Sequence, residues 1–497
     1  ADPTDEDVKQ ALQQRYDGWS QPSLGFVLMV GDTDFCPIHQ GSGGGHSQVT
    51  DNWYACLDGA DYLPDVAIAR ISVRTSGEAA DVIDKLLTYE QATFATDTWV
   101  KQAGFIGTSD SGYIDLIEGT HDWCIDTYYT PNGYEPTSWS HGYASCDRHY
   151  NTYDADTSEI AASIDEGRSM VNYSGHGGYT SWQGPTSHGG YDQEDVRNNT
   201  NDGMYPFVIS NACITGTLDR EECFGETWQK VANRGAIGFL GASNNSYWDE
   251  DDYFQRSLHG HLFPMDEATP LGVVVNESKI DLYEHYGDTG TVEYYFEMYN
   301  LLSEPSLLMW TRAPRELTTS YPDTLPIGES SFEVTVTHAG QPVEDALVAV
   351  RKTDEGVFES GYTDATGKVT LDLDPAPATV GPMEVTVTGQ DFRPHEGTSE
   401  VISPDSAWLT HRSHQVDDAA GGDGDGYANP GETFVMPVTV ENVGEQPGTG
   451  LTGSLRTTTP EWCEILDANA DFPDLAPGEQ GTTLPDHFQV RVAADAP

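Results

Sequence analysis

The sequence predicts an α/β domain with an open, mainly parallel sheet flanked by helices, followed by two all-β sandwich modules. Over about the first 315 of 497 residues, short apolar runs alternate with segments of helical periodicity, which is typical of parallel strands joined by crossover helices. After Pro326 the apolar residues alternate with polar ones at a period of two between Gly, Asp and Pro turns, which indicates antiparallel sheets. We therefore divide the chain into residues 1–315, 316–403 and 404–497.

Six apolar runs mark the predicted strands of the first domain. Each run is near-continuous, as expected for strands that are buried on both faces. The runs are residues 24–32, 65–73, 101–110, 168–178, 205–213 and 235–243. A helix is predicted directly after the second run, where Ser76 has the N-cap position of a segment with apolar residues at helical spacing.

The first residues, ADPTDEDVKQALQQRY, have the pattern of a helix already in progress. We therefore expect that an upstream segment has been cleaved from the protein or is not included in this sequence. No signal peptide stands at Ala1, and no stretch approaches the roughly 18 consecutive apolar residues of a membrane span.

The two C-terminal segments are predicted to be accessory modules. Residues 316–403 have the pattern of a small β-sandwich of the immunoglobulin-like or carboxypeptidase-regulatory-like kind. Residues 404–497 show the same alternation of polar and apolar residues in the stretches MPVTVENVG and HFQVRVA, which predicts a second β-sandwich. Neither segment contains a nucleophile, a base and an orienting group together.

The chain is strongly acidic, with 23 Lys and Arg against 81 Asp and Glu and a formal net charge of −58. Such a surface repels phosphate backbones, which excludes nucleic acid as a partner. It suits a protein that is secreted or held at the cell surface in a salty or calcium-rich medium, where counterions screen self-repulsion. An ordinary acidic secreted protein and a halophilic one fit equally well.

The seven cysteines form no CxxC pair, so a zinc or redox motif has no support. The spacings of Cys36 from Cys56 and of Cys124 from Cys146 suit two disulfides, and free thiols fit as well. Because the count is odd, at least one thiol stays unpaired. Cys223 lies in a helical pattern, where a buried thiol is expected.

Three predicted strands end in reactive side chains, which are Asp110, His176 and Cys213. The carboxyl edge of an open α/β sheet is where such folds place their sites. A thiolate nucleophile needs a base and donors for an oxyanion, and the glycines around His176 allow backbone N–H groups to point into a cleft. The order of His before Cys is typical of caspase-type proteases and opposite to that of papain-type ones.

The segments SMVNYSGHGGYTSW (169–182) and PFVISNACITGTLD (206–219) resemble the two catalytic motifs of the gingipain family of cysteine peptidases. The resemblance continues in FVLMVGD, LPDVAIARISV, GAIGFLGASNNSYW and YNLLSEPSLLMW, and it covers about residues 1–315. It implies a caspase-like fold for this domain. The family's first strand and helix are missing here, so a removed N-terminal segment that stays bound is a possible partner.

The resemblance also implies roles for individual residues. Cys213 matches the nucleophile and His176 the catalytic histidine, while Gly177 and Cys213 match the backbone N–H donors of the oxyanion hole. Asp110 matches the acid that orients the histidine, although its side chain is shorter than the Glu of some relatives.

Specificity is implied by the same resemblance. Trp248 matches an aromatic residue over the primary specificity pocket, in which gingipains bind the basic residue before the scissile bond. Glu118 and Asp115 are the predicted acids of that pocket, although the loop that carries them aligns loosely.

A second predicted site is the acidic loop VDDAAGGDGDGYANPGE, residues 416–432. It resembles the calcium-carrying entry loop of extracellular β-sandwich modules, and it is not an EF-hand because its Asn-Pro-Gly turn breaks the exit helix. Structural calcium is therefore the expected cofactor, and a solvated acidic turn is the alternative. The predicted ligands are Asp417, Asp418, Asp423, Asp425, Glu432 and the carbonyl of Tyr427.

Together these patterns predict a secreted cysteine endopeptidase that acts on proteins or peptides through a Cys-His thioester mechanism, after Arg or Lys. Two alternatives remain open at this point. One is an inactive relative that serves as a surface adhesin, and the other is a transpeptidase on the same fold.

Overall fold

The computed structural model describes residues 3–19, 24–186, 189–263, 269–403, 405–460, 462–485 and 487–496. Contacts divide the chain into two units, Ala1–Arg315 with Gln390–Arg393, and Glu316–Gly389 with Pro394–Pro497. The second unit contains both predicted β modules. Their predicted boundary, Pro404, lies outside the described residues.

All described α-helices belong to the first unit. They are α1 (Asp5–Gly18), α2 (Asn52–Ala55), α3 (Ser76–Glu90), α4 (Ile114–Cys124), α5 (Thr157–Asp165), α6 (Gln193–Asn198), α7 (Phe224–Lys230), α8 (Trp248–Leu262), α9 (Leu271–Tyr286) and α10 (Gly290–Met298). A π-helical turn, Ile125–Tyr129, continues α4.

Each of the six predicted runs contains a strand of the first unit, and this unit also has short strands that were not predicted. The strands of this unit are β1 (Phe26–Val30), β2 (His39–Gly41), β3 (Gln48–Thr50), β4 (Ala67–Ile71), β5 (Ala103–Gly107), β6 (Asp147–His149), β7 (Met170–Ser174), β8 (Gly177–Gly178), β9 (Ser181–Trp182), β10 (Tyr191–Asp192), β11 (Phe207–Asn211), β12 (Gly238–Ala242) and β13 (Tyr299–Leu302).

The main sheet has six strands in the order β13-β12-β11-β7-β5-β6. Five of them run parallel, and β13 closes one edge antiparallel to β12. Successive residues of each central strand face two different hydrophobic cores, with Phe105 in one and Ile106 in the other. Burial on both faces explains why the sequence shows near-continuous apolar runs here. The α/β prediction for this region is confirmed.

The first two predicted strands do not join this sheet, because β1 and β4 form a separate parallel ladder. The side chain of Gln229 replaces a neighbouring strand at the edge of β4. Its Nε2 donates to the Arg70 carbonyl at 2.8 Å, and its Oε1 accepts from the Ser72 N–H at 2.8 Å. Since these backbone groups are satisfied by a side chain, the strands fall into two sheets instead of one.

Two helix starts differ from the prediction. Helix α1 begins at Asp5, because the Thr4 side chain caps it and Asp7 closes a capping box, so the expectation of a helix already in progress is wrong. Helix α3 is capped by Thr75 instead of Ser76. Thr75 has the extended backbone that a cap needs, and its hydroxyl accepts from the Glu78 N–H at 3.2 Å.

The second unit consists of short strands and turns in the described part of the chain. Its strands are β14 (Thr318–Ser320), β15 (Thr324–Pro326), β16 (Ser331–His338), β17 (Gln341–Pro342), β18 (Leu347–Lys352), β19 (Val357–Tyr362), β20 (Lys368–Asp372), β21 (Gly381–Thr388), β22 (His395–Ile402), β23 (Leu409–His414), β24 (Thr433–Met436), β25 (Val438–Asn442), β26 (Thr452–Ser454), β27 (Cys463–Asp467), β28 (Asn469–Asp471), β29 (Gln480–Thr482) and β30 (Phe488–Val492).

Among the described strands of this unit, those before residue 404 pair only with one another, and so do those after it. Before it, a sheet around β16 and the sheet β15-β22-β21-β18-β19 share one apolar core that includes Phe332 and Val385. After it, the strands form the smaller sheets β23-β25-β29, β24-β30-β27 and β26-β28. Across the described residues, none of the helices is both long and apolar enough to cross a bilayer.

Candidate active site

The candidate site lies at the carboxyl ends of three adjacent strands of the main sheet, β5, β7 and β11. Their last residues, Gly107, Ser174 and Asn211, are aligned in the strand register. Asp110, His176 and Cys213 follow these residues by two or three positions. The three side chains therefore leave the same edge of the sheet, as the sequence predicts.

Asp110 and His176 form a hydrogen-bonded pair. Oδ2 of Asp110 lies 2.9 Å from Nε2 of His176. Its Oδ1 accepts from the Gly112 N–H at 3.0 Å, which fixes the carboxylate in the loop after β5. The Asp side chain is therefore long enough to orient the histidine, and Nδ1 is the ring nitrogen left for proton transfer.

The backbone carbonyl of His176 is fixed by two hydrogen bonds. This carbonyl accepts from the Tyr173 hydroxyl at 2.7 Å and from the Gln183 N–H at 2.9 Å. Gln183 and His176 are thus a hydrogen-bonded pair of the small β8-β9 hairpin, and the next pair, Gly177 and Trp182, is a non-hydrogen-bonded one. The Gly177 N–H consequently points out of the hairpin, as an oxyanion donor requires.

Gly177 lies directly against the backbone of the nucleophile segment. A Cβ at this position would come within 2.8 Å of Thr215 Cγ2 and 2.9 Å of Ala212 Cβ, and it would clash with the Cys213 carbonyl. Only glycine allows this close approach. The contact brings the backbone of Gly177 against that of the nucleophile segment.

Cys213 is half-buried, and its Sγ lies 3.9 Å from the Ser246 carbonyl oxygen, to which the thiol donates. Burial is the main cause that raises the pKa of the Cys213 thiol above its usual value of 9.0. In this structure the thiol is thus a neutral donor to Ser246, and it makes no hydrogen bond with His176 among those described. Catalytic hydrogen bonds of this kind often tighten only when substrate is bound.

The residue after the nucleophile has a strained backbone. Ile214 has φ = 55°, a left-handed conformation that β-branched residues rarely adopt. Its N–H donates to the Asn244 carbonyl at 3.0 Å, which holds the turn in place. Strain of this kind is concentrated at functional sites, and here it lies directly after the predicted nucleophile.

The raised pKa leads to a prediction for alkylation. Iodoacetamide reacts with the thiolate, so we expect the second-order rate of Cys213 labelling to keep rising with pH through 9, without the plateau near neutrality of a preformed thiolate–imidazolium pair. The measurement is the rate of active-site labelling by mass spectrometry from pH 5 to 10. A plateau below pH 7 would contradict it.

Trp248 lies at the start of α8 and covers the site. Its ring is edge-on to His176 at a centroid distance of 5.4 Å and stacks on Tyr113 at 4.7 Å. Tyr113 belongs to the loop of Asp110, and its N–H donates to the Asp110 carbonyl at 2.9 Å. Trp248 thus connects the loops of the acid and the histidine.

The two predicted specificity acids lie on α4. Glu118 accepts from the backbone N–H of Thr152 at 3.1 Å and from its hydroxyl, so both carboxylate oxygens have partners. Asp115 is exposed in the first turn of the helix. Neither has a described contact with Trp248 or His176.

A third acid, which the sequence analysis missed, is linked to Cys213 through Ser246. Asp251 follows Trp248 by one helical turn on α8 and is only 4% exposed. Its Oδ1 accepts from the hydroxyls of Tyr295 and Tyr299 at 3.0 and 2.7 Å, and the Ser246 hydroxyl also contacts the carboxylate. Burial raises its pKa to about 7. The signal in the sequence is the spacing of three between Trp248 and Asp251, which places them on one helix face.

All seven cysteines are free thiols in the structure. Cys223 is fully buried, and burial is the main cause that raises its thiol pKa well above 9.0. The two disulfides that the sequence left open are therefore not formed in the structure. Cys124 and Cys146 are buried thiols, and Cys36 and Cys56 are half-buried ones. Cys213 is therefore the thiol that combines partial exposure with a neighbouring Asp-His pair.

The acidic loop brings three of its predicted ligands together. One carboxylate oxygen each of Asp418, Asp423 and Glu432 lies within 4.8 Å of the others. Gly422 makes this possible, because a Cβ there would lie 2.9 Å from Asp418 Oδ2 and 2.8 Å from Glu432 Cδ.

The other predicted ligands lie outside this group of three. Asp425 accepts from the Tyr427 N–H at 2.8 Å, and Asp417 accepts from the Ala419 N–H at 3.3 Å. Tyr427 itself is exposed.

Comparisons with known proteins agree with this geometry. The profile of Peptidase family C25 matches residues 1–310. Lys-gingipain of Porphyromonas gingivalis is 27% identical over 416 residues, which is 79% of this chain and 23% of that protein. The chain thus spans less than a quarter of the length of this relative.

Two solved structures share the fold. The Arg-specific cysteine proteinase gingipain R (RgpB) has a TM-score of 0.68 at 22% identity over 80% of this chain and 88% of that one. The complex of the P. gingivalis RgpB pro- and mature domains has a TM-score of 0.69 at 20% identity over 80% and 90%. Because the family match covers more than half of the sequence, the chain belongs to Peptidase family C25, the gingipain-type cysteine peptidases.

Proposed function

We propose that this protein is a secreted cysteine endopeptidase that cleaves peptide bonds after Lys or Arg. The observation that carries the proposal is the convergence of a half-buried thiol, Cys213, and a hydrogen-bonded His176–Asp110 pair on adjacent strand ends. The relatives whose printed names state a specificity are a Lys-gingipain and an Arg-specific gingipain R.

The proposed reaction starts when His176 accepts the thiol proton and the Cys213 sulfur attacks the peptide carbonyl carbon. The negative oxygen of the tetrahedral intermediate is stabilised by the N–H groups of Gly177 and Cys213. His176 then protonates the leaving amine, and a thioester remains on Cys213. Finally His176 activates a water molecule, which hydrolyses the thioester. Asp110 keeps the imidazole oriented throughout.

Asp251 is the acid that best fits a pocket for a basic side chain. Among the described residues no cationic side chain pairs with it, and Ser246 links it to the nucleophile, since this residue contacts both the Asp251 carboxylate and the Cys213 thiol.

 
Its carboxylate is buried, so a substrate ammonium or guanidinium would supply the missing positive charge. Trp248, one turn earlier on α8, would cover the aliphatic part of that side chain.

Secretion and a bound N-terminal segment belong to the same proposal. The acidic surface, with a net charge of −58, suits a medium in which ions screen self-repulsion. A related structure is a complex of pro- and mature domains, which supports a removed N-terminal segment as a partner. The adhesin alternative is not favoured, because the site retains the thiol, the base and the orienting acid. The transpeptidase alternative is not favoured, because the matching family and structure are named as a peptidase and a cysteine proteinase.

The test is a cleavage profile with a peptide library under reducing conditions, read by mass spectrometry. We expect hydrolysis with Lys or Arg before the scissile bond and no product that contains an added amine. Hydrolysis after acidic or neutral residues would contradict the proposed specificity, while amine-containing products would favour transpeptidation. An adhesin would cleave none of the peptides.

We also propose that the acidic loop of the second unit binds structural calcium. Three carboxylates that converge within 4.8 Å offer hard oxygen ligands, the kind that calcium prefers. Asp418, Asp423 and Glu432 would hold the ion, with Asp417, Asp425 and the Tyr427 carbonyl as further candidates. The ion would neutralise the mutual repulsion of these acids and tie the ends of the loop together.

Calcium is therefore expected to raise the melting temperature of the second unit. An ion that binds only the folded form at 100 times its Kd stabilises it by about 2.7 kcal/mol, which corresponds to a shift of several degrees. The measurement is calorimetry of the full chain in calcium and in EDTA. Asp423→Asn should lose most of the shift, and Glu445→Gln, an exposed acid elsewhere in this unit, should keep it. An equal melting temperature in calcium and EDTA would contradict the proposal.

A further inference from the structure

An open cavity of about 520 Å³ lies beside the candidate active site in the first unit. Tyr247, Tyr294, His46, Glu250 and Thr291 contribute to its wall. The reaction and the specificity pocket described above use none of these residues.

Two consecutive residues, Asn245 and Ser246, link the cavity wall to Cys213. The Ser246 carbonyl accepts from the Cys213 thiol. The Asn245 carbonyl accepts from the hydroxyl of Tyr294, a residue of the cavity wall, at 2.6 Å. Because these two residues are consecutive, the cavity wall adjoins the nucleophile, and a peptide bound at Cys213 would extend near it. The side chain that would enter the cavity belongs to a residue other than the one beneath Trp248.

The walls combine aromatic rings with a carboxylate. The rings of His46 and Tyr294 lie 4.6 Å apart, and those of Tyr247 and Tyr294 lie 6.1 Å apart. Tyr247 is 41% exposed and so presents part of its ring to an incoming group. No described cationic side chain pairs with Glu250. Aromatic faces next to a free carboxylate attract a planar cation, which can stack and form an ion pair at once.

We propose that this cavity is a second substrate subsite, which binds the guanidinium of an arginine at a position other than the one before the scissile bond. This inference rests on the proposed peptidase function. Arginine is favoured over lysine because its planar head group stacks on tyrosine and imidazole rings, whereas an ammonium is a compact and strongly hydrated charge.

The backbone around the cavity supports a formed site. Glu297 accepts from the N–H groups of Ser42 and Gly43 at 3.4 and 2.7 Å, which fixes the glycine-rich loop before His46 onto α10. A Cβ at Gly44 would come within 2.8 Å of the Gly290 carbonyl, so the loop and the start of α10 are in close contact. The cavity wall is therefore held in place without substrate.

The experiment uses peptides with a fixed Lys or Arg before the scissile bond. Each of the three neighbouring positions on either side is changed in turn to Arg, Lys, Ala or Glu, and kcat/KM is measured for the full chain. At one position we expect Arg to exceed Ala about 10-fold, as a stacked and paired cation contributes about 1.4 kcal/mol, with Glu lowest.

Two variants of equal net charge separate the cavity from long-range attraction by the acidic surface. Glu250→Gln should reduce the Arg/Ala ratio to about 2, and Glu277→Gln, an exposed acid of α9, should leave it unchanged. Thr291→Lys, which adds a positive charge at the cavity wall, should reduce the ratio as well.

The outcomes distinguish this inference from the proposed function. Hydrolysis with equal kcat/KM for Arg and Ala at all six positions, or an Arg preference that Glu250→Gln retains, would overturn the second subsite and leave the peptidase assignment intact. If none of the peptides is hydrolysed, the peptidase function itself is wrong, and the subsite with it.

Discussion

Replacing Cys213 by Ala is expected to lower kcat/KM for peptide hydrolysis by at least about 1,000-fold. The thiol is the only group in the proposed reaction that forms a bond to the substrate, so neither His176 nor Asp110 can replace it. The residual activity should reflect the oxyanion donors alone, since the Gly177 and Cys213 N–H groups remain in the variant. The measurement is steady-state hydrolysis of a Lys or Arg peptide under reducing conditions.

Cys223→Ala is the matched control, because it removes a thiol from the same unit without touching the site. Cys223 is fully buried at the N-cap of α7, and its N–H donates to Glu226 Oε2 at 2.7 Å, a bond that alanine keeps. The loss of one buried sulfur should lower the free energy of unfolding by about 1 kcal/mol and leave most of the activity. Equal losses in the two variants would mean that the nucleophile is misassigned.

The positions of the three proposed catalytic residues could be predicted from the sequence because they depend on strand order, whereas their roles came from the resemblance to the gingipain family. Asp110, His176 and Cys213 each follow a near-continuous apolar run, and parallel strands buried on both faces bring their carboxyl ends to one edge. Strand position was accordingly the most reliable part of the prediction. The structure places Asp110 and His176 within hydrogen-bond distance of each other.

Features that depend on individual side chains were not predicted. The separation of β1 and β4 from the main sheet follows from two hydrogen bonds of the Gln229 amide, which no periodicity reveals. The contact between Cys213 and Ser246 depends on a turn more than 30 residues further along the chain. Asp251 was missed for a related reason, because its place beside the site is set by Ser246 and by tyrosines of α10 and β13.

The second large effect concerns specificity. Asp251→Asn is expected to lower kcat/KM for Lys and Arg substrates by about 150-fold, which corresponds to about 3 kcal/mol for a buried ion pair that loses one partner. Asparagine keeps an oxygen that can accept from the Tyr295 and Tyr299 hydroxyls, so the fold should be retained, which a melting curve checks. Glu118→Gln and Asp115→Asn are the controls, because both acids lie on α4 without a described contact to Trp248, and each should change kcat/KM less than about threefold.

Substrates that differ only in charge test directly whether Asp251 is the acid of the specificity pocket. Citrulline has the shape of arginine without its positive charge, so the Arg/citrulline ratio of kcat/KM isolates the charge interaction from the effects of folding and of Cys213. Asp251 has a pKa of about 7 because of burial, so it is increasingly protonated and neutral below that pH. The ratio should therefore fall as the pH drops from 8 to 6 in the wild type and should stay flat and low in Asp251→Asn. If the ratio collapses in Glu118→Gln or Asp115→Asn instead, the pocket lies on α4, and Asp251 only shapes the turn at Ser246.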